Sequence, residues 1–466
     1  MSGKHYKKRK LSEKIAITIV ILAVLVATTA LTYAYVIKDN MANGPGKSNV
    51  KQTGWAPENS GTNNGKSGGS INNEQGKNTS DGGSGKEKQK TRQDIAEKKL
   101  QKLISNMSLK EKVGQMIIVG FEGYDANPKV SSMIKDNHVG GIILYNRNIK
   151  DDKQLVTLNN KLKTLNKDNK LPVFISADHE GGRITRLPSK ATVFPSNLTI
   201  GKKDSPKMSR EIGSVLGSEM KAYGFNLDFA PVADIYSNPK NTVIGDRSFG
   251  TDYQTVSRLS AATMKGIKSS GVEPVVKHFP GHGDTDVDSH EDMPVLYKSI
   301  NELKSFELKP FENAVNQGAD MMMVSHIKLP KIDKTGRPAS LSHEVTTDIL
   351  RNDMGFNGVI ITDDLEMGAI SKYYGTGDAA VKAIRAGSDM VLVCHTYESQ
   401  SKTIDAITEA VKNGQISEKR IDESVKRIAM LKQKYNLSDE AASMKNVDKY
   451  VGNAEHKSIA ARAAVR

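Results

Sequence analysis

The fold is decided by Val272-Glu273-Pro274-Val275-Val276-Lys277-His278-Phe279-Pro280-Gly281-His282-Gly283-Asp284-Thr285-Asp286-Val287-Asp288-Ser289-His290. Its first five residues form a short β-branched run, the pattern of a buried strand. The run ends in Lys-His and passes into a Gly/Pro/Asp loop, so ionisable groups stand at a strand's carboxyl end. In parallel α/β folds that end is where ligands bind. Three His and three Asp within fourteen residues is more titratable chemistry than a connecting loop requires.

Outward from that stretch, strand-like runs alternate with amphipathic segments. The strand candidates are 116–121, 141–145, 173–178, 227–232, 273–278, 320–326, 359–363 and 389–395. Helix-period segments lie between most of them, at 131–137, 155–167, 207–223, 253–269, 300–317 and 378–386. A helix is expected over 94–106, and Ser108 with Glu111 has the spacing of a capping box. Eight such alternations predict a (β/α)8 TIM-like barrel. A doubly wound open sheet is the rival, disfavoured because no Gly-rich dinucleotide fingerprint follows the first strand. Polar residues recur at the strand ends: Asp178, Asp228, Asp234, Lys277, His278, His326, Asp363 and Asp364. A charge at the end of a buried strand costs several kcal/mol unless it is paired or solvated, so their convergence on one mouth points to a site.

The 466-residue chain carries a net charge of +14. Much of it lies outside the globular part. Residues 1–14 set Lys4, Lys7, Lys8, Arg9, Lys10 and Lys14 against Glu13 alone, and 38–93 adds nine Lys/Arg to five Asp/Glu. The basic balance therefore does not read as a nucleic-acid surface. Residues 15–37 are free of charge, enough for a helix crossing about 30 Å of hydrocarbon. The run exceeds the roughly 7–15 apolar residues of a signal-peptide core. An uncleaved anchor is the expectation, with the basic segment 1–14 cytoplasmic. A signal peptide cleaved near Ala30 or Ala34 is the alternative, and the rest is extracytoplasmic in both. Residues 38–93, rich in Gly, Asn, Ser and Lys, read as a flexible linker of about 40 Å mean span. The barrel is expected over 94–440 and a C-terminal tail or linker helix over 441–466. A single cysteine, Cys394, excludes an intramolecular disulfide and a Cys-based zinc site.

The motifs resemble those of family 3 glycoside hydrolases of the bacterial β-N-acetylglucosaminidase branch. They are Lys277–Gly283 with Asp288-Ser289-His290, Asp178-His179-Glu180-Gly181-Gly182-Arg183, Gly245-Asp246-Arg247-Ser248-Phe249, and Ile361-Thr362-Asp363-Asp364-Leu365-Glu366-Met367. The likeness covers about residues 105–435. It implies a retaining exo-hydrolase removing terminal β-linked N-acetylhexosamine, without metal or cofactor. By that resemblance Asp363 is the nucleophile and His290 with Asp288 the acid/base dyad. Asp178, Arg186, Arg247, Lys277 and His278 would hold the sugar hydroxyls. The substrate expected from location and family is a peptidoglycan fragment, and the protein is expected to act as a monomer.

The residues support that reading independently. Retaining hydrolysis needs a nucleophile and a group that first donates and then removes a proton. An imidazole, with a reference pKa of about 6.5, serves both steps near neutrality, and Asp288 would fix its tautomer. Lys277 and Arg247 are expected to keep Asp363 ionised. Other polar residues have plainer readings: Asp364 a capping or salt-bridging acid, His282 and His326 supporting hydrogen-bonders, Glu180 structural, Glu291 and Asp292 solvated, and Met321–Met323 barrel packing.

Three rivals stand beside this reading. His278, His282, Asp284, Asp288 and His290 could serve a metal-dependent hydrolase, although an EF-hand register fails at Ser289 and Val295. A non-catalytic wall-binding barrel is the second. A phosphorylase is the third, since a histidine base tolerates an anionic acceptor.

Overall fold

The computed structural model describes residues 97–465, and the expected anchor, its basic flank and the linker lie outside them. Eight parallel strands close in chain order: β1 Ile117–Val119, β2 Gly141–Ile143, β3 Phe174–Ala177, β4 Leu227–Asp228, β5 Glu273–Phe279, β6 Met321–Val324, β7 Val359–Asp364 and β8 Met390–Val393. β1 closes the ring on β8, with Ile117 opposite Val391 and Val119 opposite Val393. Nearly every strand residue is buried. Helices cover the outer face and side chains fill the inner one, so the strands read as continuous apolar runs without alternation. Gly141 shows how tight the filling is: a Cβ there would stand 2.8 Å from the Phe174 Cβ.

Each of the eight expected strands is present, most of them shorter than the run that announced it. The fourth stops at Asp228, because Pro231 has no N–H to donate. Pairing with β5 resumes only at an isolated bridge between Val232 and Lys277. Helix starts follow their caps. Ser108 and Glu111 form the expected capping box before Leu109–Gln115. Ser205 and Pro206 open the Pro206–Tyr223 helix, which Gly224 ends at φ 94°. The helix expected over 300–317 is instead two, Ile300–Ser305 and Lys309–Asn316. Pro310 in the first turn of the second would clash with the carbonyl four residues back if the helix ran through. Among the described residues no helix is long and apolar enough to cross a membrane.

The C-terminal run, expected as a tail or linker helix, holds two helices, Met444–Tyr450 and Ala454–Ala464, that pack against Pro206–Tyr223. Ile459, Ala460 and Ala463 join an apolar cluster with Ile212, Val215 and Leu216. His456 Nδ1 lies 2.8 Å from the buried carboxylate of Glu219, which also accepts from the Gly452 and Thr192 amides.

The floor of the barrel is held by one carboxylate. Asp389, fully buried before β8, accepts from Arg351 Nη2 at 2.7 Å, Arg427 Nη1 at 3.1 Å, Ser424 Oγ at 2.9 Å and the Ile360 amide at 3.1 Å. It ties β7, β8 and the Glu418–Lys434 helix together. Removing one partner of a buried ion cluster costs about 3–5 kcal/mol. Asp389→Ala should lower the unfolding free energy by that amount in urea titration; a loss under about 0.5 kcal/mol, the scale of a neutral surface change, would contradict the assignment.

Candidate active site

At the carboxyl ends of the strands lies a cavity of about 260 Å³. Asp178 (after β3), Arg186, Arg247, Lys277, His278, Asp363 and His290 all line it. These are seven of the eight residues the sequence singled out. The eighth, Asp288, stands behind His290, its Oδ1 2.8 Å from Nδ1 and 2.8 Å from the His290 amide. That contact puts the ring proton on Nδ1 and leaves Nε2 as the free nitrogen. The His290 side chain is 65% exposed, so it sits on the rim.

The opposite wall is a ladder of buried charges. Glu180, expected to be structural, is its centre. Arg247 grips it with two bonds, Nε to Oε2 at 2.9 Å and Nη2 to Oε1 at 2.6 Å. Lys277 Nζ lies 2.7 Å from the same Oε1 and 2.6 Å from Asp178 Oδ1. Burial pushes the Glu180 carboxyl up, but the two cations outweigh it and hold it far below the usual range. Burial likewise disfavours the Lys277 cation, and Asp178 and Glu180 more than restore it. His278 is aimed by a second buried acid: Asp234 Oδ2 lies 2.6 Å from Nδ1. Its Nε2 then faces Arg247 Nη2 at 3.4 Å. Asp234 Oδ1 also accepts the His282 amide at 2.7 Å, so one carboxylate sets both the ring and the loop that follows it. Asp228, though at a strand end, does not line the cavity. Its Oδ1 accepts the His179 amide, and burial drives its carboxyl well above the ordinary value.

Asp363, half-buried at the end of β7, is ionised, but not by the residues first assigned to it. Lys277 and Arg247 are spent on Glu180 and Asp178. Burial raises the Asp363 carboxyl; the imidazoles of His326, His278 and His290 and the Asp364 amide outweigh it, leaving it below normal. The amide, 2.9 Å from Oδ1, is the partner whose dipole persists at every pH. Asp364 lines the same cavity. It accepts the Cys394 amide at 3.1 Å and meets His395 Nε2 at 3.0 Å, the salt-bridging role expected of it. His326 spans Ser340 Oγ and the Asp364 carbonyl. Met323 lines the cavity as well as packing in β6.

The loop carrying the dyad is docked. His282 Nε2 lies 3.0 Å from Ser289 Oγ, and Lys298 pairs with Asp284 at 2.6 Å. The Gly368 and Ala369 amides donate to the His290 and Ser289 carbonyls at 3.1 and 3.0 Å. Asp292, expected to be merely solvated, accepts from the Tyr373 hydroxyl at 2.6 Å and tethers the loop. The metal-site candidates of this loop are dispersed, with His278 on Asp234, His290 on Asp288 and Asp284 on Lys298. Among the described residues no three potential ligands come together.

Sequence reasoning missed Tyr145 and His395, which stack at 5.9 Å and line the cavity from β2 and β8. The signal was present for His395, a titratable residue just beyond a strand's carboxyl end. Tyr145 gave none, since an aromatic after a buried strand is ordinarily packing.

Comparison with known proteins places these features in a family. Residues 108–431 match the family described as "Glycosyl hydrolase family 3 N terminal domain". Beta-hexosaminidase A of Pseudoalteromonas piscicida is 32% identical over 361 residues, 72% of this chain but only 60% of that protein's length. Beta-hexosaminidase LpqI of Mycobacterium tuberculosis is 33% identical over 335 residues, 70% of this chain and 83% of the relative. The solved structure of a family 3 β-N-acetylglucosaminidase from Paenibacillus sp. superposes with a TM-score of 0.72 at 39% identity, covering 77% of this chain and 68% of that one.

Two outcomes test the geometry. A Cβ on Gly368 would stand 2.5 Å from the His290 carbonyl oxygen and 2.6 Å from that of Glu291. Gly368→Ala should therefore lift the loop, and the Ala369 amide should exchange with deuterium at least about tenfold faster; unchanged protection would contradict the docking. Burial pushes the His282 imidazole down to about 4 from its ordinary 6.5. Between those values the unfolded chain binds a proton the native state refuses, so this group's stabilisation is full above pH 6.5 and is lost as pH falls toward 4. The stability difference between the native protein and His282→Gln should shrink over that interval; a difference independent of pH would refute the assignment.

Proposed function

The chain belongs to glycosyl hydrolase family 3, in its β-N-acetylhexosaminidase branch, and from that premise we propose that it is a retaining exo-β-N-acetylglucosaminidase. The observation that carries the reading is that Asp363 and His290 line one cavity of single-sugar scale, facing a wall of hydroxyl-binding charges. Lys277, Asp178, Arg186 and His278 bind the hydroxyls of the terminal sugar. Arg247 and Glu180 hold these groups in register, so orientation is set before the substrate arrives.

In the first half-reaction Asp363 attacks the anomeric carbon as the bond to the leaving oxygen breaks, and His290, entering the step as the imidazolium, gives that oxygen its Nε2 proton. A glycosyl ester on Asp363 results. In the second, neutral His290 takes a proton from water as the water oxygen displaces the Asp363 carboxylate. The sugar leaves with its configuration retained. Asp288 holds Nδ1 and stabilises the imidazolium that forms in the second half.

The proposed substrates are peptidoglycan fragments with a terminal β-linked N-acetylglucosamine. The family likeness and the charge-free 15–37 run, a proposed uncleaved anchor holding the barrel outside the membrane, support this.

Asp363→Ala should lower kcat on an aryl N-acetyl-β-glucosaminide by at least about 10⁴-fold without changing the urea midpoint, the scale of losing a covalent nucleophile. His290→Ala should cost about 10²–10⁴-fold, most with poor leaving groups, and azide should restore turnover by forming a glycosyl azide. Equal and mild losses at both positions would contradict the assignment.

A further inference from the structure

Arg186 differs from the other cations of the substrate wall. Arg247 is clamped by Glu180, and Lys277 by Asp178 and Glu180. Among the described residues the Arg186 guanidinium pairs with no carboxylate: Nη1 donates to the neighbouring Thr185 carbonyl at 3.1 Å, and the buried Nε has no acceptor. Its aim is therefore set by the backbone that carries it.

That backbone has little structure of its own. Residues 185–196 form neither helix nor strand between the Gly181–Ile184 bridge and the Asn197–Gly201 helix. A segment of this kind keeps one position only where other elements hold it.

The holders come from the far end of the chain. Glu219, buried in Pro206–Tyr223, accepts the Thr192 amide at 2.8 Å on Oε2 and the Thr192 hydroxyl at 2.7 Å on Oε1. The same Oε1 accepts the Gly452 amide at 2.9 Å and meets His456 Nδ1 at 2.8 Å. Lys190 Nζ pairs with Asp448 at 2.6 Å. A Cβ on Gly452 would stand 2.1 Å from the Lys190 carbonyl oxygen, so the two backbones touch there. Phe194 shares an apolar cluster with Ile459, Ala460 and Ala463. A hydrogen-bonded carboxylate, an ion pair, a backbone contact and an apolar contact all join the Arg186 loop to the same helix pair.

We propose that the C-terminal helix pair is part of the substrate site. His456 and Gly452, acting through Glu219 and Thr192, are positioning residues that hold the Arg186 loop. None of them touches substrate. Without their grip the guanidinium would spread over many orientations, and the substrate would have to order it on binding. The inference rests on the hydroxyl-binding role given to Arg186 above.

The test is a double-mutant cycle in kcat/KM on an aryl N-acetyl-β-glucosaminide. Arg186→Ala should lower kcat/KM by about tenfold or more, the scale of a hydrogen bond from a charged group. His456→Leu, which removes the donor to Glu219, should lower it about fivefold in the native background and less than about twofold beside Arg186→Ala. His456→Asn, whose Nδ2 can stand in for Nδ1, should recover most of the loss. A change that only lowered stability would cost the same in both backgrounds. Thr192→Val gives the same cycle from the loop side, and serves alone if His456→Leu does not fold. Additive losses, or no loss from either change, would overturn the inference and leave the glycosidase reading standing. Full activity in Arg186→Ala would overturn the role of Arg186 and the inference with it. No release of the aryl group by the native protein would overturn the glycosidase reading as well.

Discussion

The site depends on one buried carboxylate. Glu180 sits almost without solvent contact where an isolated charge would cost many kcal/mol. It is tolerated because Arg247 and Lys277 close on it from the ends of other elements, and they in turn stay charged because Glu180 is there. The arrangement fixes two cations that would otherwise collapse onto Asp178 or turn to solvent. It leaves Asp178 and the Lys277 ammonium facing the cavity with geometry already set. Removing any member strands the others, so the ladder is better understood as preorganisation than as stability.

The same economy divides labour between the two sides of the cavity. Permanent charges occupy the β3–β5 side, where a substrate is held. Neutral or titratable groups surround Asp363: imidazoles, a backbone amide and, on the rim, His290. A lysine beside Asp363 would keep it ionised too, but would lower its nucleophilicity and compete for its lone pairs. An N–H and nearby imidazoles hold it ionised more gently. His290 sits on a loop pinned by the Gly368 and Ala369 amides, so the proton donor is tied to the segment that follows the nucleophile's own strand.

The architecture was largely legible in the sequence because buried parallel strands leave short β-branched runs whose carboxyl ends carry charge. All eight were visible as apolar runs, those of β3 to β8 with a titratable residue at or beyond the carboxyl end, and the motif residues they deliver meet in one cavity. What escaped notice has a common cause. Glu180 looked structural because its partners, Arg247 and Lys277, lie 67 and 97 residues away, and pairing across a barrel leaves no local pattern. For the same reason the two cations were assigned to Asp363, a plausible partner by charge but not by position. Asp292 looked solvated because its tether, Tyr373, follows a different strand. The docking of the C-terminal helices left no local signal because it depends on Glu219, buried in a distant helix, accepting from His456. The break at Pro310 was readable and was passed over in favour of helical periodicity.

The account turns on Asp363 forming a bond to the anomeric carbon. The most direct measurement is inactivation with 2-acetamido-2-deoxy-5-fluoro-β-glucosyl fluoride, followed by mass spectrometry of the labelled peptide. The account predicts one sugar per chain, attached to Asp363. A label on Asp364 or Asp178, or turnover that proceeds with inversion and leaves no adduct, would contradict it.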